Sequence, residues 1–193
     1  MIPVEKQTEP PDFDKKVRQP GLRWLKKNGV PAKSSDLPAL WQTLNEELYD
    51  RYSGVCAYLA FHFEWVSGAS STDHFVAKSN CPNMAYEWEN YRLACLGANR
   101  AKNKYDDVLD PFEVRQETFY LNLSNGEIRL NPKLKGQYKK LAEDTINRLG
   151  LNSQRLNDMR ANHYSQYLRH KDKRTLQELN PFVYYEAKRQ GLL

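Results

Sequence analysis

Between residues 56 and 104 the chain places Asp73 beside His74, Asn90 ahead of a short apolar run, and Asn99 within Ala-Asn-Arg-Ala-Lys. Asp73 offers an anionic oxygen and Asn99 a neutral carbonyl oxygen. Such hard ligands suit Mg²⁺ or Mn²⁺, with water and phosphate oxygens filling the remaining positions. His74 carries an imidazole that titrates near working pH and can take a proton from an attacking water. A metal held there would stabilise negative charge on a phosphate and on the departing oxygen. Arg100, Lys102 and Lys104 add positive charge suited to holding a nucleic-acid backbone. A lone Asp-His pair is more often a structural hydrogen bond; its conjunction with Asn99 and the cations carries the signal.

Other reactive side chains read more plainly. Cys56 or Cys95 could act as a nucleophile with His74, but no third group orients the pair, and buried structural cysteine is the better reading. His62 lies in an apolar alternating run and reads as a core or edge residue. His163 and His170 fall on basic helices and read as surface residues. Asp106, Asp107 and Asp110 form a small acidic cluster that reads as capping or salt bridging. Tyr164, Tyr167, Tyr184 and Tyr185 are interleaved with Arg and Lys, a mixture that fits base stacking or docking, with ordinary helix packing favoured.

The elements that must position these residues follow from periodicity. Residues 1–35 predict an extended arm with a short helical stretch around Leu22-Arg23-Trp24-Leu25, anchored by Phe13, Leu22, Trp24 and Leu25. Residues 36–53 predict a helix, with Leu37, Leu40, Trp41, Leu44, Leu48 and Tyr52 at helical spacing and Gly54 after the end. Val-Cys-Ala-Tyr-Leu-Ala-Phe-His-Phe-Glu-Trp-Val, from residue 55, has strand character. Residues 72–78 predict a short strand, Asn-Tyr-Arg-Leu-Ala-Cys a second, and 95–104 a short helix. Asn125-Gly126 with flanking alternation predicts a hairpin over 117–130. From 133 onward the chain reads as helical, with stops at Gly150 and near Asn180-Pro181. Three regions result: a 1–35 arm, a 36–130 core and a 131–193 helical region.

Composition bounds the function classes. A 193-residue chain with 40% hydrophobic residues can bury a core without disulfide staples. The net charge of +5 is uneven: residues 131–193 hold 13 Lys+Arg against 6 Asp+Glu. A basic carboxy-terminal third fits a polyanionic partner, or a set of solvated helix faces. Neither a Gly-x-x-x-x-Gly-Lys-[Ser/Thr] loop nor Gly-x-Gly-x-x-Gly occurs, which excludes nucleotide binding by either route. No apolar run approaches the roughly 20 residues of a membrane helix. The opening residues have no apolar signal core, and 3 cysteines form no paired framework, so a reducing, cytoplasmic setting is expected.

The pattern Cys-x-Tyr … Asp-His-Phe … Asn-Tyr-Arg-Leu-Ala-Cys … Asn-Arg-x-Lys resembles the HNH (ββα-metal) endonucleases. The opening Ile-Pro-Val-Glu-Lys-Gln … Pro-Asp-Phe-Asp … Val-Arg-Gln-Pro-Gly, the segment Ala-Tyr-Glu-Trp-Glu-Asn-Tyr-Arg-Leu-Ala-Cys, and the later Asp-Asp-Val-Leu-Asp-Pro-Phe and Leu-Gly-Leu-Asn-Ser-Gln-Arg-Leu-Asn narrow the resemblance. They look like the PtuB nucleases of Septu-type and retron-associated antiphage defence. The resemblance implies an α+β fold: a small ββα-metal core with a flanking N-terminal helix and a C-terminal helical region. It implies His74 as general base, Asp73 and Asn99 as metal ligands, Asn90 as the residue holding loop and base in place, and Lys102 as the basic residue that follows. It implies Mg²⁺, or Mn²⁺, as cofactor and a DNA or tRNA substrate. It further implies a PtuA-like ATPase partner and, in some systems, a retron reverse transcriptase with its non-coding RNA. Many HNH proteins bind structural Zn²⁺ through two Cys-x-x-Cys knuckles. Here Leu59 and Ala98 stand where each second cysteine would fall, so structural Zn²⁺ is not expected. Packing by Tyr58, Leu59, Phe61 and Phe63 is expected in its place. Two rival classes are a catalytically silent HNH-fold module docking on an ATPase and a non-cleaving DNA-binding protein.

Overall fold

A four-residue stripe, Phe13, Val17, Gly21 and Leu25, starts the fold: all four are buried on one face of a helical segment. A computed structural model describes all 193 residues. In it a wide turn over Asp14–Arg18 runs directly into helix α1 (Gln19–Asn28), which ends at Gly29 with φ +75°. The expected extended arm is therefore helical over Asp14–Asn28, well beyond the short stretch expected around Leu22–Leu25. Pro20 lies in the first turn of α1 and cannot donate to the preceding turn, and the widened turn over Asp14–Arg18 accommodates it. Gly21 is required by packing, since a Cβ there would lie 2.3 Å from the Tyr86 ring.

The expected helix over 36–53 is shorter than its apolar stripe. A 3₁₀ turn, Leu40–Leu44, precedes α2 (Asn45–Arg51). Pro38 biases Leu37 to the extended conformation (ψ 132°), which ends the short 3₁₀ turn Ser34–Asp36 and keeps it from joining the coil that starts at Leu40. Trp41, Leu44 and Leu48 are still buried as the stripe requires.

Strand β1 (Ser70–His74) pairs antiparallel with β2 (Tyr91–Cys95), from Ser70 opposite Cys95 to His74 opposite Tyr91. Helix α3 (Leu96–Lys102) follows β2 without a loop and packs on both strands. The contacts gather Glu5–Val55 and Phe63–Asp106 into one unit containing this β–β–α arrangement.

The second unit comprises Met1–Val4, Cys56–His62 and Asp107–Leu193. Its hairpin, β3 (Phe119–Leu121) and β4 (Ile128–Leu130), turns at Asn125-Gly126, with Gly126 at φ +72°. Helices α4 (Gly136–Arg148), α5 (Gln154–His170), α6 (Lys173–Leu179) and α7 (Pro181–Arg189) follow. Asn180 caps α7 by accepting from Val183 N, and Pro181 opens it, which explains the break in the helical pattern. The Cys56–His62 segment is not a strand. Ala60 takes φ +53°, and Ala60 N donates to Cys56 O at 2.8 Å, so the apolar run turns on itself and is buried as a loop. The architecture is mixed helix and sheet, and no helix is long and apolar enough to cross a membrane.

Candidate active site

β1 ends in two polar residues that are almost fully buried, Asp73 at 3% and His74 at 5% exposure. Burial of such groups demands partners. His74 Nε2 lies 3.0 Å from the Ala85 carbonyl, which can only accept. The neutral imidazole therefore carries its hydrogen on Nε2 and keeps its lone pair on Nδ1. Trp41 and Tyr91 meet the ring edge-to-face at centroid distances of 4.7 and 5.0 Å. Burial, then the Lys78 ammonium, pushes the imidazole pKa down to about 3, while the Ala85 bond pulls upward.

Lys102 answers the charge of Asp73. Its Nζ is 3.6 Å from Asp73 Oδ2 and donates to the His74 carbonyl at 3.1 Å, and the side chain is 0% exposed. This corrects the expectation that Lys102 holds a substrate backbone. It sits inside the fold and tethers the end of β1, because α3 lays this position against the strand rather than toward solvent. Arg100 and Lys104 are exposed.

Asn99 is oriented by a relay. Ser71 Oγ donates to Ala94 O at 2.8 Å, so its lone pair accepts from Asn99 Nδ2 at 3.1 Å. The amide's Oδ1 is left without an intrachain donor. Asn90 does not line the site but closes the loop over residues 75–90. Its Oδ1 accepts from Val76 N at 2.7 Å, and its Nδ2 donates to Val76 O and Met84 O at 3.0 and 2.9 Å. That loop carries Ala85, whose carbonyl fixes the His74 tautomer. Through that loop the Asn90 amide supports the Ala85 carbonyl that meets His74.

Asp73, His74, Lys78, Asn99, Arg100 and Lys104 line one cleft of about 470 Å³. The structure thus brings together five of the seven sequence-derived residues, with Asn90 in the supporting loop and Lys102 buried behind. No cluster of three or more His, Cys, Asp or Glu side chains forms a metal cage. One carboxylate and one uncommitted amide oxygen fit a hard divalent ion that keeps most of its shell as water and substrate oxygen. No family model and no curated protein matches the chain.

Two contributors escaped the sequence pattern. Lys78 lies in the cleft wall with its Nζ 4.3 Å from the Trp41 ring centroid, and Trp41 also walls the His74 imidazole. Trp41 carried only a core signal, and a helical stripe cannot show which ring it meets. In the acidic cluster Asp107 forms the expected salt bridge, whereas Asp106 and Asp110 accept hydrogen bonds from neutral groups. Asp106 accepts from Asn80 Nδ2 at 2.6 Å, Asp107 pairs with Arg148 at 2.9 Å, and Asp110 accepts from Phe112 N at 3.0 Å.

Proposed function

We propose that the chain is a metal-dependent endonuclease of the HNH type that hydrolyses phosphodiester bonds of nucleic acid, with DNA favoured over tRNA or other RNA. One observation carries the reading: a neutral histidine of fixed tautomer lines the same cleft as a carboxylate and an uncommitted amide oxygen. His74 Nδ1 takes the proton of the attacking water. Asn90 and the Ala85 carbonyl hold the ring for that transfer. Arg100 and Lys104 hold neighbouring backbone phosphates. Asp73 and Asn99 would hold Mg²⁺ or Mn²⁺, which when bound supplies charge stabilisation at the phosphate and the leaving oxygen. The substrate phosphate opposes the influence of Lys78 on His74 and so raises the base strength of the imidazole on binding.

The resemblance to PtuB nucleases supports a cytoplasmic role in antiphage defence beside a PtuA-type ATPase, with a retron reverse transcriptase and its RNA in some systems. This chain has no phosphate-binding loop, so ATP turnover would fall to the partner. The test is cleavage of duplex DNA, single-stranded DNA and bulk tRNA by the chain assembled with its ATPase, with Mg²⁺ present or chelated. Cleavage of one class, lost with chelator, is expected. No cleavage of any class by the assembled complex overturns the reading.

One observation favours a second reading, a silent binding module: Lys102 already balances the Asp73 carboxylate. Divalent-ion binding by the isolated chain separates the two. The nuclease binds Mn²⁺ and loses it on Asp73→Ala; the silent module does neither.

A further inference from the structure

Two lysines stand near the imidazole of His74, and the fold uses them differently. Lys102 is committed, with its ammonium donating to the His74 carbonyl and lying 3.6 Å from Asp73. Lys78 makes no ion pair and no hydrogen bond within the chain. It is half-buried in the cleft wall, its Nζ 4.3 Å from the centroid of the Trp41 ring. The aromatic face restricts the side chain while leaving its three N–H donors unused. Trp41 also packs against His74 at 4.7 Å, so one indole positions both the base and this cation. The cleft wall carries three cations, Lys78, Arg100 and Lys104, against the single carboxylate of Asp73. With Lys102 behind that carboxylate, the walls attract an anion.

We propose that Lys78, carried on the face of Trp41, seats the reacting phosphate of the nucleic acid in this cleft. The identity of the anion rests on the nuclease reading; the ammonium on the indole does not. Arg100 and Lys104 are exposed at the rim, where they meet phosphates either side of the one being cut. Lys78 stands deeper, beside the base, where charge develops as the water attacks. The phosphate brings negative charge into a net positive cleft. Divalent-ion binding is therefore tighter with the phosphate in place than without it, and by reciprocity the ion tightens the phosphate.

The experiment compares wild type, Lys78→Met and Lys78→Arg. Methionine keeps the aliphatic packing on Trp41 and removes the charge. Binding of a labelled duplex and of a labelled single strand is measured in chelator across a salt series, and cleavage is measured with Mg²⁺. Lys78→Met is expected to lower the salt slope by about one phosphate contact, ~0.9 for duplex or ~0.7 for single strand. It is expected to cut kcat about 10²-fold, the cost of losing one preorganised charge at the reacting group. Lys78→Arg restores the slope. An unchanged slope and kcat, in a preparation where His74→Ala is inactive, overturns the proposal and leaves the nuclease intact. A lowered melting temperature with unchanged slope and kcat makes Lys78 structural and also overturns it. If wild type cuts nothing, the nuclease reading falls. The salt slope then decides alone: a decrease keeps Lys78 as an anion contact, and no decrease removes it.

Discussion

The molecule contains two antiparallel ribbons, and each is tied at one end by a buried cation. In β1–β2, Lys102 donates to the His74 carbonyl where the strand meets its long connection. In β3–β4, Arg160, 2% exposed, donates to Gly126 O in the turn at 2.8 Å, to Leu151 O, and to Asn157 Oδ1 at 2.7 Å. The ends differ. The β3–β4 turn is short and pressed against α5: a Cβ on Gly126 would lie 1.9 Å from Asn157 O. The β1–β2 connection spans residues 75–90 and is held by the amide of Asn90. A carboxylate and an imidazole on β1 line a cleft, whereas the donors of Arg160 are taken up by backbone and amide oxygens. Both buried cations are folding devices, and only in β1–β2 does the cation face a carboxylate that also lines a cleft.

Lys102→Met breaks that comparison most severely. It leaves Asp73 as a buried carboxylate without its ammonium and the His74 carbonyl without its donor. Loss of one partner of a buried pair costs about 3–5 kcal/mol. Denaturant unfolding is expected to show that loss, and cleavage is expected to fall with it. Arg160→Met is expected to cost about 2–3 kcal/mol, since buried carbonyls lose their donor. Catalysis per folded molecule is expected to match wild type. A cleavage defect in folded Arg160→Met would erase the distinction between the two ribbons.

Gly21→Ala sharpens the account of the ββα unit. The added methyl must displace the Tyr86 ring, and the cost is expected at about 1–3 kcal/mol by thermal unfolding. A smaller effect is expected from acid. Nδ1 of His163 accepts from Asn180 Nδ2 at 3.1 Å, and burial holds its pKa below the ordinary 6.5. His74 shares this direction, with a folded value of about 3. Below 6.5 the unfolded chain binds these protons and the folded chain resists them, so stability falls as pH drops from 6.5 toward 3. His163→Gln is expected to make that acid slope shallower in unfolding midpoints measured between pH 7 and 5.

Much of the site was legible because its signals are local. Asp73-His74 lies on a strand, though that strand is Ser70–His74 rather than 72–78; Asn90 precedes the next, and Asn99 lies on a helix that follows directly, as spacing suggested. The Asn125-Gly126 turn and the stops at Gly150 and Asn180-Pro181 were legible for the same reason. What failed depends on contacts distant in sequence. The α1 stripe passes through Gly21, a residue that argues against helix until Tyr86 is seen lying on it. The Cys56–His62 run has strand composition, but a positive φ at Ala60 folds it back. Lys102 reads as a surface cation beside Arg100 and Lys104, and only packing of α3 on the strands reveals it as the counter-charge of Asp73. Lys78 had no motif around it at all.

The most direct measurement is cleavage by wild type and His74→Ala side by side, each with the proposed ATPase partner and Mg²⁺, alongside thermal unfolding of both. The Ala85 carbonyl still accepts from the Tyr91 hydroxyl at 2.8 Å, so the variant is expected to unfold cooperatively. Its cleavage rate is expected to fall by about 10²–10⁴-fold, the contribution of a positioned base. Equal cleavage by a folded His74→Ala protein would contradict the account, and loss of the folded state would make His74 a structural residue.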